Sequence, residues 1–255
     1  MSETLEDKVA ASDPDRHAAG LLAPPDARSK LWVLYAFNLE IARAPYLTQE
    51  PLIAQMRLQF WTDVLDDVAA AKPPRAHEVA EPLAALWAEH ALPVELGQQM
   101  IAARHWHIDR APFASAQAWL DHIDHSAGNL MWLAARVLGA PDGAKAACRA
   151  MGRAMGVAQW LQAVPALAAT GRAPYPQGTS GAEMAQAGLQ ALADARAARG
   201  TVPKACAPAL LAGFQAAAVL TRAAQDPARI DAGALAPSEF RRRGTLLVGA
   251  LSGRW

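Results

Sequence analysis

Apolar residues recur at intervals of three and four along most of this chain of 255 residues, and strict apolar–polar alternation is scarce. Alanine is abundant and β-branched residues are few, so a nearly all-helical protein is expected. Proline and glycine mark the breaks between the periodic stretches. The predicted helices cover residues 24–43, 50–70, 78–91, 93–108, 115–138, 141–168, 181–198, 203–224 and 237–252.

The first two long helices each have an apolar stripe that indicates which side faces the core. In the first helix the predicted inward residues are Leu31, Leu34, Tyr35, Asn38 and Ile41. In the second helix they are Ile53, Met56, Phe60, Val64 and Val68. Pro45 follows the first stripe and cannot donate a backbone hydrogen bond, so this helix is expected to end or kink there.

The chain shows neither a fixed-period repeat nor a linker long enough to separate two domains. Residues 1–12 are acidic and polar and are expected to form a flexible N-terminus, followed by one helical domain over residues 13–255. The expected architecture is therefore all-α and single-domain, with long helices around a central cavity.

Composition limits the classes of function. Lys and Arg together number 24, as do Asp and Glu, so no net charge favours nucleic acid. Cys148 and Cys206 lack metal-ligand spacing and are expected to be buried thiols. We find neither a targeting segment nor a run of 18 apolar residues, so a cytoplasmic protein without a spanning helix is expected.

Six segments occur in an order that resembles the squalene/phytoene synthase family over nearly the whole chain. They read DPDRHAAGLLAP, LWVLYAFNLEIAR, MRLQFWTDVLDD, AGNLMWLAARVLG, MGVAQWLQAV and TGRAPYP. The most specific is RLQFW at residues 57–61, because the family carries a similar run on its second long helix. The resemblance implies the isoprenoid synthase-type helical fold.

Active members of that family join two prenyl diphosphates head to head and use two aspartate-rich motifs on facing helices. Mg²⁺ prefers hard oxygen ligands, and carboxylates four apart lie on one helical face. The resemblance carries the first motif onto ARAPY at 42–46 and the second onto AVPAL at 163–167. The acid positions then fall on Ala42, Tyr46, Ala163 and Leu167. No catalytic residue and no cofactor is therefore expected. Mg²⁺ would bind only if other residues supplied its ligands.

Other carboxylates offer low-odds alternatives for a metal. Asp63 and Asp67 are four apart in DVLDD, and Asp121 and His125 are four apart in DHIDH. Each spacing is compatible with a shared metal ion. Clusters of this kind are more often solvated or locally hydrogen-bonded, so neither is predicted as a metal site.

The residues expected to line the cavity follow from the resemblance and from polar residues on apolar faces. Asn38 and Gln159 are either satisfied by neighbouring helices or retained as a polar lining, and Arg172 either meets an anion or lies in a plain surface loop. The full set of expected lining residues is Tyr35, Asn38, Arg57, Trp61, Asn129, Gln159 and Arg172.

One branch of the family resembles this chain more than the enzymes do. The chain is similar to respiratory complex I assembly factors in two places. The first is AFNLEIA followed by MRLQFW without the first acidic motif, and the second is the closing GTLLVGALSGRW. This implies a protein without catalysis that helps to assemble NADH:quinone oxidoreductase, with a complex I subunit or assembly intermediate as its partner. Two alternatives remain open: an isoprenoid- or lipid-binding protein, and a diverged prenyl diphosphate transferase with relocated metal ligands.

The last predicted helix has two interpretations. Its RRRGTLLVGALSGRW places three arginines before an apolar stripe, which is compatible with a peripheral contact at an anionic inner membrane. Alternatively, the stripe docks the helix onto the core, and that interpretation is favoured here. The docking residues would be Leu246, Leu247, Val248 and Leu251.

Overall fold

The computed structural model describes residues 3–255, and this part of the chain contains helices and no strands. The first half contains α1 (Leu5–Ser12), α2 (Pro14–Gly20), α3 (Pro25–Arg43), α4 (Pro51–Ala69), α5 (Ala80–Glu89), α6 (Val94–Ala103), α7 (Trp106–Asp109), α8 (Ala116–Ile123) and α9 (Asn129–Val137). The second half contains α10 (Lys145–Ala169), α11 (Gly181–Ala197), α12 (Ala207–Leu211), α13 (Ala216–Gln225), α14 (Ala228–Asp231) and α15 (Glu239–Ser252). The expectation of an all-α single domain is confirmed.

The 25-residue helix α10 runs through the centre of the fold and packs against α8, α9, α11 and α13. A Cβ at Gly152 would lie 2.5 Å from the carbonyl oxygen of Ala127, and one at Gly156 would lie 2.7 Å from the Ala127 Cβ. Only glycine permits this approach, so α10 can lie directly against the segment between α8 and α9.

The first long helix ends where the sequence predicts. α3 stops at Arg43 and passes into a 3₁₀ turn over Ala44–Tyr46 that contains Pro45. The expected inward face is also correct, since its five residues are all buried. This ending turns the chain away from the helix axis at the position of the first family motif.

The inward face predicted for α4 is only partly correct, since Val64 is buried and Phe60 and Val68 pack half-buried against the core. Ile53 and Met56 are exposed, and the side that packs on the core is offset around the helix. The buried residues are Ala54, Leu58, Trp61, Val64 and Leu65. The predicted inward residues and the residues that are buried are both largely apolar, so the sequence does not distinguish them and tertiary packing decides which face the core.

Three predicted helices are interrupted, and the one predicted over residues 93–108 forms α6 and α7. Residues 115–138 form α8 and α9 joined by a π-helical segment over Asp124–Gly128. Residues 203–224 form α12 and α13, separated at residues 212–215, where Gly213 meets the Met151 side chain.

The two cysteines are buried free thiols, as predicted.

The N-terminal residues differ from the flexible segment expected over residues 1–12. Residues 5–12 form α1, which Thr4 and Asp7 cap reciprocally and which packs on α3 through the completely buried Val9. The expected boundary at residue 13 therefore falls between two packed helices, and residues 1 and 2 lie outside the described part. In α2, the carboxylate of Asp15 accepts a 2.7 Å hydrogen bond from Nε of Arg242 on α15.

The last helix is attached to the core by few residues. Gly249 on α15 packs against Leu211, and Trp255 is buried beneath the Arg199 guanidinium, which lies 5.0 Å from its ring centroid. A groove of about 700 Å³ remains between α15 and the core.

The docking interpretation of α15 is contradicted for three of its four residues. Leu247, Val248 and Leu251 are exposed, the last with 81% of its surface accessible. Glycine at position 249 makes the contact instead, because its lack of a side chain permits a close approach.

Within residues 3–255, no single helix combines the length and apolar character needed to span a membrane, although the bent pair Lys204–Leu211 and Ala216–Gln225 meets both criteria jointly.

Candidate functional site

A cavity of about 310 Å³ lies between the N-terminal helices and α10. Its walls come from α2, α3 with its 3₁₀ turn, the α6–α7 region, the α8–α9 region and α10. The π-helical segment contributes Ser126 and Ala127, and π-helical insertions of this kind occur frequently at functional sites. The volume lies at the lower end of the range for small-molecule sites, about 300–1,000 Å³.

The four positions that correspond to the family acids all line this cavity. Ala42 and Tyr46 lie at the end of α3, and Ala163 and Leu167 lie one turn apart on α10. The structure thus brings together two segments that are more than a hundred residues apart. None of the four side chains can ligate Mg²⁺ as a carboxylate would.

Tyr46 is held in place by two basic residues. Its hydroxyl lies 2.8 Å from Nδ1 of His107, and the Arg172 guanidinium lies 4.7 Å from its ring centroid. Burial raises the pKa of the Tyr46 hydroxyl, so it stays protonated at neutral pH. Where the family has an acid, this chain has a neutral phenol against a basic cluster.

Arg104 brings a positive charge into the cavity without a carboxylate partner. Its Nη2 donates a 3.0 Å hydrogen bond to Oδ1 of Asn38. Its Nε is inaccessible to solvent and has no hydrogen-bond partner within residues 3–255. Burial lowers the pKa of the Arg104 guanidinium to about 10, with a smaller effect from Arg16, so the group remains charged at neutral pH.

The single carboxylate in the cavity lining is already paired. Asp13 forms an ion pair with Arg16, which also lines the cavity. The described part of the chain contains no other carboxylate within 4.0 Å of the Arg16, Arg104 or Arg172 guanidinium groups. The cavity therefore has an excess of positive charge.

Two histidines of the cavity are neutral at ordinary pH. Burial, followed by the nearby Arg104 charge, lowers the pKa of His107 to about 2 and that of His122 to about 3. The His122 ring lines the cavity and makes no hydrogen bond to any described residue. Each neutral ring keeps one N–H donor, which can serve an anionic acceptor.

The residues predicted to line the cavity divide between several environments. Asn38 and Gln159 do line it, although Gln159 is exposed rather than buried. Tyr35 is buried in the core beside Arg16, outside the lining. Asn129 is also buried, and its amide nitrogen donates to the carbonyl of Leu96 and the side chain of Gln99.

Arg57 and Trp61 lie elsewhere, around a smaller cavity of about 210 Å³ that also contacts Glu40 and His77. This second cavity adjoins the end of α3 and is distinct from the one that the acid positions line. The RLQFW run therefore identifies the family better than it identifies the site.

Arg172 is buried instead of facing an anion at a cavity mouth. Its Nε and Nη2 donate to the carbonyl oxygen of His107 at 3.1 and 2.6 Å, and its Nη1 donates to Oγ1 of Thr170 at 2.7 Å. The TGRAPYP segment thus anchors the loop after α10 to the α6–α7 region.

Of the alternative metal ligands, Asp63 and Asp67 are engaged in ion pairs, whereas Asp121 accepts a 2.8 Å hydrogen bond from Gln117 and His125 forms no ion pair within residues 3–255. Arg75 donates to Asp67 at 2.7 Å and to Asp63 at 3.4 Å, which places a cation between the two carboxylates. In DHIDH, Asp124 pairs with Arg149 and Arg153 instead of joining its neighbours. Within residues 3–255, no three His, Cys, Asp or Glu side chains form a group that could hold a metal ion.

Sequence reasoning did not identify the basic groups of the cavity as a set. His107, His122, Arg104 and Arg16 are not among the residues that the sequence predicts for the site. Each lies on a different helix, so no spacing in the sequence connects them. Only the positions carried over from the family pointed to this part of the fold.

Comparisons with known proteins agree with the geometry. The family model described as squalene/phytoene synthase matches residues 9–179. A solved dehydrosqualene synthase in complex with ligand superposes with a TM-score of 0.80, at 14% identity, over 98% of this chain and 94% of that one. The squalene synthase HpnC from Alicyclobacillus acidocaldarius gives a TM-score of 0.75, at 16% identity, over 87% and 92% of the two chains.

Curated relatives carry a different description. "NADH dehydrogenase (ubiquinone) complex I, assembly factor 6" from Bos taurus is 29% identical over 157 residues, which cover 60% of this chain and 46% of that protein. The Drosophila melanogaster homolog is 29% identical over 171 residues, covering 64% and 50%. The chain thus spans about half the length of the curated relatives it matches.

Proposed function

The chain belongs to the squalene/phytoene synthase family, and from this we propose that it is a member without synthase chemistry that assists assembly of respiratory complex I. Its curated relatives are named as complex I assembly factors, and its fold is that of the synthases. The proposed partner is a subunit or assembly intermediate of NADH:quinone oxidoreductase.

The observation that carries the proposal is the replacement of all four acid positions around the cavity. Metal ions offset the charge of a leaving diphosphate, and carboxylates hold those ions. Here Ala42, Tyr46, Ala163 and Leu167 occupy these positions. The residues present do not fit Mg²⁺, and the synthase reaction has no support from them.

The charge and size of the cavity also disfavour the synthase reaction. A divalent cation next to the unpaired Arg104 guanidinium would be repelled, because like charges interact strongly where water is scarce. A volume of about 310 Å³ suits one small ligand rather than two prenyl diphosphates. Both features are compatible with a protein whose role lies in binding.

The same proposal includes a peripheral contact with an anionic lipid surface through α15. Phe240, Leu247 and Leu251 share one face of this helix and are exposed. Arg243 and Arg254 are exposed on or next to the same helix, and cationic side chains beside an apolar stripe are typical of interfacial helices. Such a contact would keep the protein at the cytoplasmic side of the inner membrane, where complex I subunits join.

A deletion strain tests the assembly role directly. We expect loss of NADH:quinone oxidoreductase activity and of the assembled complex on native gels, with succinate oxidation unchanged. Complementation by the full chain should restore both. An assembled, active complex in the deletion strain would contradict a required role in assembly.

A second measurement addresses catalysis. The purified full chain, supplied with prenyl diphosphates and Mg²⁺, is expected to release no diphosphate above the level of a heat-inactivated sample. Turnover that depends on Mg²⁺ would overturn the assignment as a non-catalytic member, whatever the deletion strain shows.

A further inference from the structure

The basic cavity contains hydrogen-bond donors that the protein itself does not use. Arg104 donates from Nη2 to Asn38, and neither its Nη1 nor its enclosed Nε has a hydrogen-bond partner among the described residues. The ring of His122 also makes no hydrogen bond to residues 3–255. A buried donor without an acceptor costs about 1–3 kcal/mol, and more when it is charged.

The protein does not neutralise this charge internally. Asp13 is the one carboxylate of the lining, and it is paired with Arg16. An uncompensated guanidinium that is partly removed from water is unfavourable unless an anion approaches it. Arginine is well suited to such a ligand, because its planar donors match a carboxylate or a phosphate.

The remaining walls of the cavity are apolar. Trp160 forms one of them, with its indole nitrogen donating to the carbonyl of Pro174. The aliphatic lining residues are Leu39, Ile123, Leu130 and Leu167. At roughly 30 Å³ for a group the size of a water molecule, the cavity holds about ten such groups. The ligand is therefore a compact molecule with an apolar body.

We propose that this cavity binds a small organic oxyanion, either a phosphate monoester or a carboxylate, through Arg104 and His122 and without a metal ion. The oxyanion accepts from the guanidinium of Arg104, through N–H groups other than the enclosed Nε, and from the ring of His122, and its apolar body packs against Trp160 and the aliphatic wall. The site goes beyond the assembly role and stands whether or not that role is correct.

Isothermal titration calorimetry of the full chain tests the site with three probes of similar size. Phenyl phosphate and benzoate are the anions, phenol is the neutral control, and EDTA is present throughout. We expect at least one anion to bind at least about tenfold more tightly than phenol, the effect of one charge-assisted hydrogen bond. Which anion binds distinguishes a phosphate ligand from a carboxylate ligand.

Arg104→Gln removes the charge and keeps an amide donor for Asn38. It is expected to weaken anion binding at least about tenfold. The matched control is Arg110→Gln, whose arginine is exposed at the end of α7 and outside the cavity, and this variant should bind like the wild type. Circular dichroism establishes that both variants are folded.

Ala163→Leu provides a second route if Arg104→Gln does not fold. It leaves every charge in place and fills part of the cavity, so the anion is expected to bind at least about tenfold more weakly. Equal binding of anion and phenol, anion binding that survives in a folded Arg104→Gln, or no binding of either anion at about 10 mM would each overturn the proposal.

Discussion

The hydroxyl of Tyr46 lies 2.8 Å from Nδ1 of His107, so a position that the family gives to a metal-binding acid is here bonded to an imidazole. The contact joins the 3₁₀ turn after α3 to α7, which are 61 residues apart in the chain. Arg172 covers the tyrosine ring and donates to the carbonyl of the same histidine. The former motif position has become part of a structural network.

Removing the Tyr46 hydroxyl tests that structural role. Tyr46→Phe leaves Nδ1 of the buried His107 without its partner, and the free energy of unfolding should fall by about 1 kcal/mol. Urea unfolding followed by circular dichroism measures the change. Tyr175→Phe is the control, since its hydroxyl bonds to Asp231 in an exposed pair and its removal should cost less. Equal losses would contradict the network.

Stability should fall as pH drops from 7 to 5. His107 and His122 have folded-state pKa values well below the ordinary value of about 6.5. Above that value neither the folded nor the unfolded state binds the proton, so pH has no effect through these groups. Below pH 6.5 these histidines bind protons in the unfolded state but stay neutral in the folded state. Each histidine should therefore reduce the free energy of unfolding by about 2 kcal/mol at pH 5.

Thermal unfolding at pH 7, 6 and 5 measures this dependence. The double variant His107→Gln with His122→Gln removes both titrating rings, and its unfolding temperature should change much less over the same interval. A variant that keeps the full pH dependence of the wild type would show that other groups are responsible.

Gly152 should resist substitution because α10 touches a backbone there. The Cβ of Gly152→Ala would lie 2.5 Å from the Ala127 carbonyl oxygen, and such overpacking costs about 1–3 kcal/mol. The gain in helix propensity, up to about 1 kcal/mol, offsets only part of this. Chemical denaturation should show a clear loss, while Gly143→Ala, which has no atom within 4 Å of the new Cβ, should be near neutral.

The exposed face of α15 should be needed for lipid binding. The double variant Phe240→Ser with Leu251→Ser removes its two most exposed apolar side chains, 89% and 81% accessible. Co-sedimentation with phosphatidylglycerol-containing vesicles should fall several-fold. Burying each of these apolar side chains in the lipid contributes roughly 1.5–3 kcal/mol to the binding free energy. Leu52→Ser, an exposed leucine on α4, is the control and should sediment like the wild type. Equal sedimentation of both variants would contradict the role of this face.

The existence of the long helices was predictable because periodicity and proline report it directly, whereas the short helices α1 and α2 were not predicted. α3 ends beside Pro45 as expected, and α15 lies within one or two residues of its predicted range. Interruptions were not predictable, since the break before α13 depends on Gly213 meeting Met151 from α10. Ile53 and Met56 on α4 were wrongly predicted to face the core for a similar reason, because only tertiary packing decides which apolar residues of this helix are buried.

The candidate site shows the same division. The family motif located Ala42 and Ala163 by order along the chain, and the structure places both on one cavity. The unpaired state of Arg104 is a property of its surroundings, since it depends on which carboxylates the fold brings near. The sequence alone therefore could not predict that Arg104 lacks a carboxylate partner.

The hydrogen bond between Asp15 and Arg242 has a consequence for the order of events during synthesis. The two residues are 227 positions apart. At the usual rates of chain elongation, roughly 10–45 s separate their appearance. Throughout that interval α2 lacks its contact with α15, and the Asp15 carboxylate stays open to solvent and to chaperones. The nascent chain therefore completes this part of its surface only after α15 has emerged from the ribosome.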